Sequence, residues 1–86
     1  MLYKGKVYGK IGEIFNEPIR LLKNGEKEEA ISFFKEYIRH IREYNGCSTE
    51  CAESIAKANF RYYAGYCDEE TIKLVKENFG VSAKFF

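Results

Sequence analysis

Residues 26–46, Glu-Lys-Glu-Glu-Ala-Ile-Ser-Phe-Phe-Lys-Glu-Tyr-Ile-Arg-His-Ile-Arg-Glu-Tyr-Asn-Gly, decide the fold class. Ala30, Phe33, Phe34, Tyr37, Ile38, Ile41 and Tyr44 recur at three- and four-residue spacing, which winds them onto one face of a helix. Glu26, Glu28 and Glu29 crowd its start, and Arg39, His40 and Arg42 lie near its end. Both placements complement the helix dipole. Gly46 supplies a stop, so the pattern predicts a helix from Glu26 to Tyr44 or Asn45.

Downstream, Ser48 or Thr49 is suited to cap a third helix reaching about Tyr63, with an apolar stripe of Ala52, Ile55, Ala56, Asn59, Tyr62 and Tyr63. Gly65 is the expected left-handed stop. Asp68 then caps a fourth helix whose buried stripe is Ile72, Val75 and Phe79, ended by Gly80. The tail 81–86 alternates weakly and is placed to pair with an N-terminal strand.

Upstream, Asn16 reads as an N-cap with Pro18 in the first turn, where its missing N–H would go unpaired anyway. That predicts a short helix, Glu17 to Asn24, ended by Gly25. Residues 2–11 alternate, with Tyr3, Gly5, Val7, Gly9 and Ile11 on one side and Lys4, Lys6, Tyr8 and Lys10 on the other. That is the period of a half-buried strand, although its two glycines suggest a bulge or turn. Residues 21–38 are similar to one tetratricopeptide hairpin, but one hairpin is no array, and we read it as an ordinary helix pair. The expected fold is mainly α: a compact three- to four-helix bundle with a short N-terminal β-strand or hairpin, as one domain over residues 1–86.

Composition bounds function. The 86 residues are 45% apolar and 31% charged, which is a globular balance, and a net charge of +1 gives no global field directed at nucleic acid or membrane. Residues 1–25 are locally basic. No apolar run approaches the roughly 20 residues of a membrane span. Lys4, Lys6 and Lys10 interrupt any signal-peptide-like segment, so a cytoplasmic location and reduced thiols are expected. Seven Tyr and seven Phe are more rings than a core this small normally needs, which predicts that some lie at the surface.

No phosphate-cradling glycine loop, nucleophile elbow or helical HExxH is present, so no enzyme activity and no cofactor are expected. His40, Cys47, Cys51 and Cys67 are ligand types suited to a structural zinc site. Their spacing departs from two tight pairs, and buried or partly exposed thiols are the favoured reading. Lys35, Arg39 and Arg42 form a basic stripe that Arg61 would extend. It is either a solvated face, with Glu36 and Glu43 neutralising part of it, or a phosphate contact for nucleic acid or a nucleotide. Arg61, Tyr62, Tyr63 and Tyr66 form the residue cluster that dominates protein interfaces, and they also suit packing over the junction of the last two helices. Pairing of two copies would also cover surplus rings.

The segment 53–82 resembles the closing part of small phage- and prophage-encoded proteins. The likeness lies in Ala56-Lys57-Ala58-Asn59, Tyr63-Ala64-Gly65-Tyr66, Asp68-Glu69-Glu70-Thr71 and Val75 to Phe79, about the last third of the chain. Those proteins commonly carry His-Pro before a terminal aromatic, where this chain has Ala83-Lys84 before Phe85. The resemblance implies a non-catalytic binding protein that blocks a host or defence complex, such as a CRISPR effector, by steric contact in the host cytoplasm. The expected contacts are Lys35, Arg39, Arg42, Arg61, Tyr62, Tyr63 and Tyr66.

Overall fold

Four helices follow a two-stranded hairpin in the computed structural model, which describes residues 1–81. Strands β1 (Leu2–Tyr3) and β2 (Lys6–Val7) pair antiparallel, with Leu2 opposite Val7 and Tyr3 opposite Lys6. Helices α1 (Ile11–Lys23), α2 (Lys27–Asn45), α3 (Thr49–Ala64) and α4 (Glu69–Phe79) follow. The mainly helical fold with an N-terminal hairpin is the one the periodicity requires.

Helix α2 is the hub, packing against α1, α3 and α4. It buries Ala30, Phe33, Phe34, Tyr37 and Ile41, and it ends at Gly46 with φ +64°. Tyr44 leaves the stripe and is 83% exposed.

Helix α1 starts six residues earlier than Asn16-Glu17-Pro18 suggests. Ile11, Ile14, Phe15, Pro18, Ile19 and Leu22 keep three- and four-residue spacing through the proline. Pro18 thus sits inside the helix and is almost completely buried. An interior proline disfavours a helix by about 3 kcal/mol, and burial of the continuous stripe outweighs it here. Asn16 is an exposed interior residue rather than a cap. The C-terminus closes as a Schellman motif: the Glu26 N–H donates to the Leu21 carbonyl at 2.8 Å and the Gly25 N–H to Leu22 at 3.1 Å. Gly25 accordingly has φ +80°.

In α3 the Ser48 hydroxyl accepts from the Cys51 N–H at 3.1 Å. The buried stripe is Ala52, Ala56, Phe60 and Ala64, a four-residue rhythm. It displaces the expected one: Ile55 is 36% and Tyr62 57% exposed, while Phe60 is 1% exposed. Gly65 is right-handed, not left-handed, with φ −63°. The chain continues as a tight turn in which Tyr66 and Cys67 N–H groups reach the Tyr63 and Ala64 carbonyls, so no left-handed residue is needed there. Asp68 caps α4 by accepting from the Thr71 N–H at 2.9 Å. Thr71, Val75 and Phe79 form the buried face, with Ile72 half-buried beside them.

The N-terminal segment is a hairpin rather than one strand. Lys4 (φ 48°) and Gly5 (φ 80°) are both left-handed, the two-residue turn whose twist matches paired strands. The turn reverses the expected faces: Tyr8 is buried, and Val7 is 68% exposed. Tyr3 and Tyr8 both meet Phe33 edge-on at 5.0 Å. At the centre, Phe60 contacts Phe15, Phe34, Tyr37 and Phe79 at 5.0–5.9 Å, and Phe34 stacks on Phe79 at 4.6 Å. The core therefore takes up more rings than its size suggested. Val81 is buried; the expected strand pairing of the tail concerns residues 82–86, outside the described residues.

Candidate interaction surfaces

Two surfaces hold the residues singled out in the sequence, and they lie on different flanks of α3. The first is an open groove of about 430 Å³ between α2, α3 and α4. Ile31, Phe34 and Ile38 from α2 and Phe79 from α4 are its apolar lining; Lys35, Arg39 and Arg42 from α2 and Lys57 from α3 line it too, together with the polar Thr49 and Asn78 and one carboxylate, Glu53. The predicted basic stripe therefore lines a groove that is also partly apolar.

The cations differ in how they are held. Arg39 binds Glu36 at 2.5 and 2.6 Å and Glu43 at 2.8 Å. The two carboxylates, Glu36 foremost, push its pKa up, and the Arg39 guanidinium pulls Glu36 below its usual range. Lys57 pairs with Glu53 at 2.9 Å. Arg42, half-buried, donates from Nη1 to the neutral Thr49 hydroxyl at 3.2 Å. Neither Arg42 nor Lys35 has a carboxylate partner among the described residues.

Arg61 lies on α3, one turn beyond Lys57, which lines the groove. It lines a shallow depression with Lys57, Gly80 and Val81, on the α4 side of α3.

The second surface is the tyrosine turn. Tyr63 is half-buried, with its ring 5.6 Å from Phe15 of α1. Tyr62 and Tyr66 are 57% and 72% exposed, and the Tyr62 ring meets both Tyr63 and Tyr66 edge-on at 5.4 Å. The neighbouring Tyr62 hydroxyl raises the pKa of Tyr66. Lys57 and Tyr63 are six residues apart, which turns them about 120° from each other around the helix axis. The groove and the tyrosines, the two regions of expected contact, therefore face different directions around α3.

The four candidate zinc ligands, the less favoured reading of these residues, are not brought together. Cys51 lies in the first turn of α3 and Cys67 beyond its last, separated by roughly 20 Å of helix. Cys47 sits close to Cys51, while His40 stacks on Tyr44 with ring centres 6.1 Å apart. Among the described residues, no three His, Cys, Asp or Glu side chains are placed to hold a metal. All three cysteines are free thiols. Burial, then the nearby Cys51 thiol, raises the pKa of Cys47; burial, then the Asp68 carboxylate, raises that of Cys67.

The carboxylates with depressed pKa values are committed to structural pairs. Burial pushes the Glu17 carboxyl up, but the Tyr8 hydroxyl at 2.9 Å and Arg20 at 2.6 Å together hold it below its usual range. Glu29 is held down by Lys4 at 2.8 Å and by the Tyr3 hydroxyl. Both pairs tie the hairpin to the helices.

Comparison with protein families, with curated proteins and with solved structures finds no match to this chain. No helix among the described residues is long and apolar enough to cross a membrane.

The sequence reading missed the apolar lining of the groove, because Phe34 and Ile38 were assigned wholly to the core. A signal was present: Ile31, Lys35, Ile38 and Arg42 alternate apolar and basic residues along one line of α2.

Proposed function

We propose that this chain is a non-catalytic binding protein that works by protein–protein contact. The supporting observation is the exposed Tyr62–Tyr66 pair. Tyr63 rests on Phe15 of the core, and Tyr62 meets both Tyr63 and Tyr66 edge-on, so the outer rings form one contiguous aromatic surface. Rigid exposed tyrosines provide contact area at little cost in conformational entropy, and such rings dominate binding energy at interfaces.

The target class follows from the resemblance of segment 53–82 to small phage-encoded proteins. The partner is a host or defence protein complex, such as a CRISPR effector, and the chain inhibits it sterically in the host cytoplasm. The test is plasmid interference in cells carrying such an effector. Expression of the chain is expected to restore transformation by a targeted plasmid, and Tyr62→Ala/Tyr66→Ala is expected to abolish the rescue. Full interference against the panel of effectors, with the chain expressed and folded, overturns the target class. Undiminished rescue by the double variant overturns the role of the tyrosines.

A further inference from the structure

We propose that the groove between α2, α3 and α4 receives an acidic amphipathic helix of a partner protein. The proposal deepens the binding-protein reading and rests on it.

The argument begins with the spacing along α2. Ile31, Lys35, Ile38 and Arg42 follow one another at four, three and four residues, a nearly straight line on the helix surface. Each like pair is seven residues apart, or about 10 Å along the axis. The line presents two apolar and two basic side chains in alternation. A docked helix with apolar residues at three- and four-residue spacing, and carboxylates seven residues apart, matches it in both respects.

Charge selects the sign of the partner. Arg39 and Lys57 already have carboxylates, whereas Lys35 and Arg42 have none among the described residues. Arg42 is half-buried and uses one of its donors on a neutral hydroxyl. A guanidinium has five N–H donors, and beside an apolar lining a carboxylate satisfies them best. Ile31 and Ile38, both half-buried, favour a protein helix over a polyphosphate, because they offer phosphates nothing and give apolar side chains a place to bury.

The experiment is a display selection of random helical peptides, about five turns long, on the folded chain. Lys35→Glu/Arg42→Glu serves as counter-selection. Enriched peptides are expected to carry Leu, Ile or Phe at helical spacing and Asp or Glu seven residues apart. A synthesised winner should bind the double variant at least about ten-fold more weakly, and exchanging its two acids for lysine should restore binding to that variant. Lys35→Gln/Arg42→Gln is the fallback if charge reversal disturbs folding, as read by circular dichroism.

Winners without acidic bias overturn the proposal, as does a winner displaced by an equal concentration of single-stranded oligonucleotide. Winners that bind the double variant unchanged and shift the amide signals of Tyr62 and Tyr66 also overturn it, while leaving the binding-protein reading in place. A selection that enriches nothing counts against both.

Discussion

Phe60 and Tyr62 stand two residues apart on α3 and belong to different worlds. Phe60 is 1% exposed and touches four other rings, while Tyr62 is 57% exposed and its ring contacts among the described residues are the two neighbouring tyrosines. Two positions along a helix are about 200° around its axis, so one faces α1, α2 and α4 and the other faces away from them. The number of rings in a segment therefore says little about an interface; their angular placement decides it. The interior around Phe60 accommodates the described phenylalanines together with Tyr8 and Tyr37, while Tyr62 and Tyr66 at the end of α3 and Tyr44 at the end of α2 are left exposed.

The sharpest way to break this contrast is to truncate each side. Phe60→Ala removes the ring on which the cluster converges and is expected to cost about 3–5 kcal/mol. That is a large part of the roughly 5–15 kcal/mol available to a small domain. Urea unfolding measures it, and a loss below about 1.5 kcal/mol would mean the cluster has no centre. Tyr62→Ala/Tyr66→Ala should leave stability within about 1 kcal/mol of the parent and weaken an identified partner by at least about 2 kcal/mol. A comparable loss of stability in both variants would erase the distinction. Tyr63→Ala belongs between them, because its ring rests on Phe15.

Backbone conformation divides the glycines in the same manner, with smaller effects. Gly46 ends α2 with φ +64°, so Gly46→Ala is expected to cost about 1–2 kcal/mol although nothing lies near its Cβ position. Gly12 lies inside α1 without a positive φ and also faces open space, so Gly12→Ala should raise stability by about 0.5–1 kcal/mol. Opposite signs in thermal melts would confirm that backbone angle, not room, separates the two.

What was legible in the sequence was whatever a local signal states without competition. The span of α2, the Ser48 and Asp68 caps and the stops at Gly25, Gly46 and Gly80 each follow from a residue acting on its own neighbours. The start of α1 was obscured because Asn16 and Pro18 send an N-terminal signal, while burial of Ile11, Ile14 and Phe15 depends on distant helices. The α3 stripe was misread for a related reason. Its buried side is mostly alanine, so larger residues such as Ile55 and Tyr62 drew the apolar face away from Phe60. The tyrosines were identified, and their separation from Lys35, Arg39 and Arg42 was not. That separation depends on how α3 is rotated against α1 and α2, which no single segment encodes.

The smallest effects concern pH, and they separate a carboxylate braced by the core from those on the surface. Glu17 accepts from the Tyr8 hydroxyl, whose ring packs on Phe33, so its titration is coupled to the interior. Its folded pKa lies below the ordinary value of 4.5. The stabilisation is therefore present above that value and lost as pH falls through the folded pKa. Tyr8 moves the other way: burial, reinforced by Glu17, pushes its hydroxyl from 10.0 up to about 12. Its contribution is intact below pH 10 and lost as pH rises towards 12. Thermal melts should show both slopes in the parent; Glu17→Gln should lessen the acid one, to which Glu29, Glu36 and Asp68 also contribute, and Tyr8→Phe should lessen the alkaline one, to which the buried Tyr37 also contributes. Glu43→Gln, on the exposed end of the Arg39 network, should leave both nearly unchanged, because screening by solvent leaves such a pair little net effect. An acid slope left undiminished by Glu17→Gln but lessened by Glu43→Gln would show that the hairpin is not braced through Tyr8, and that the boundary between interior and surface runs elsewhere.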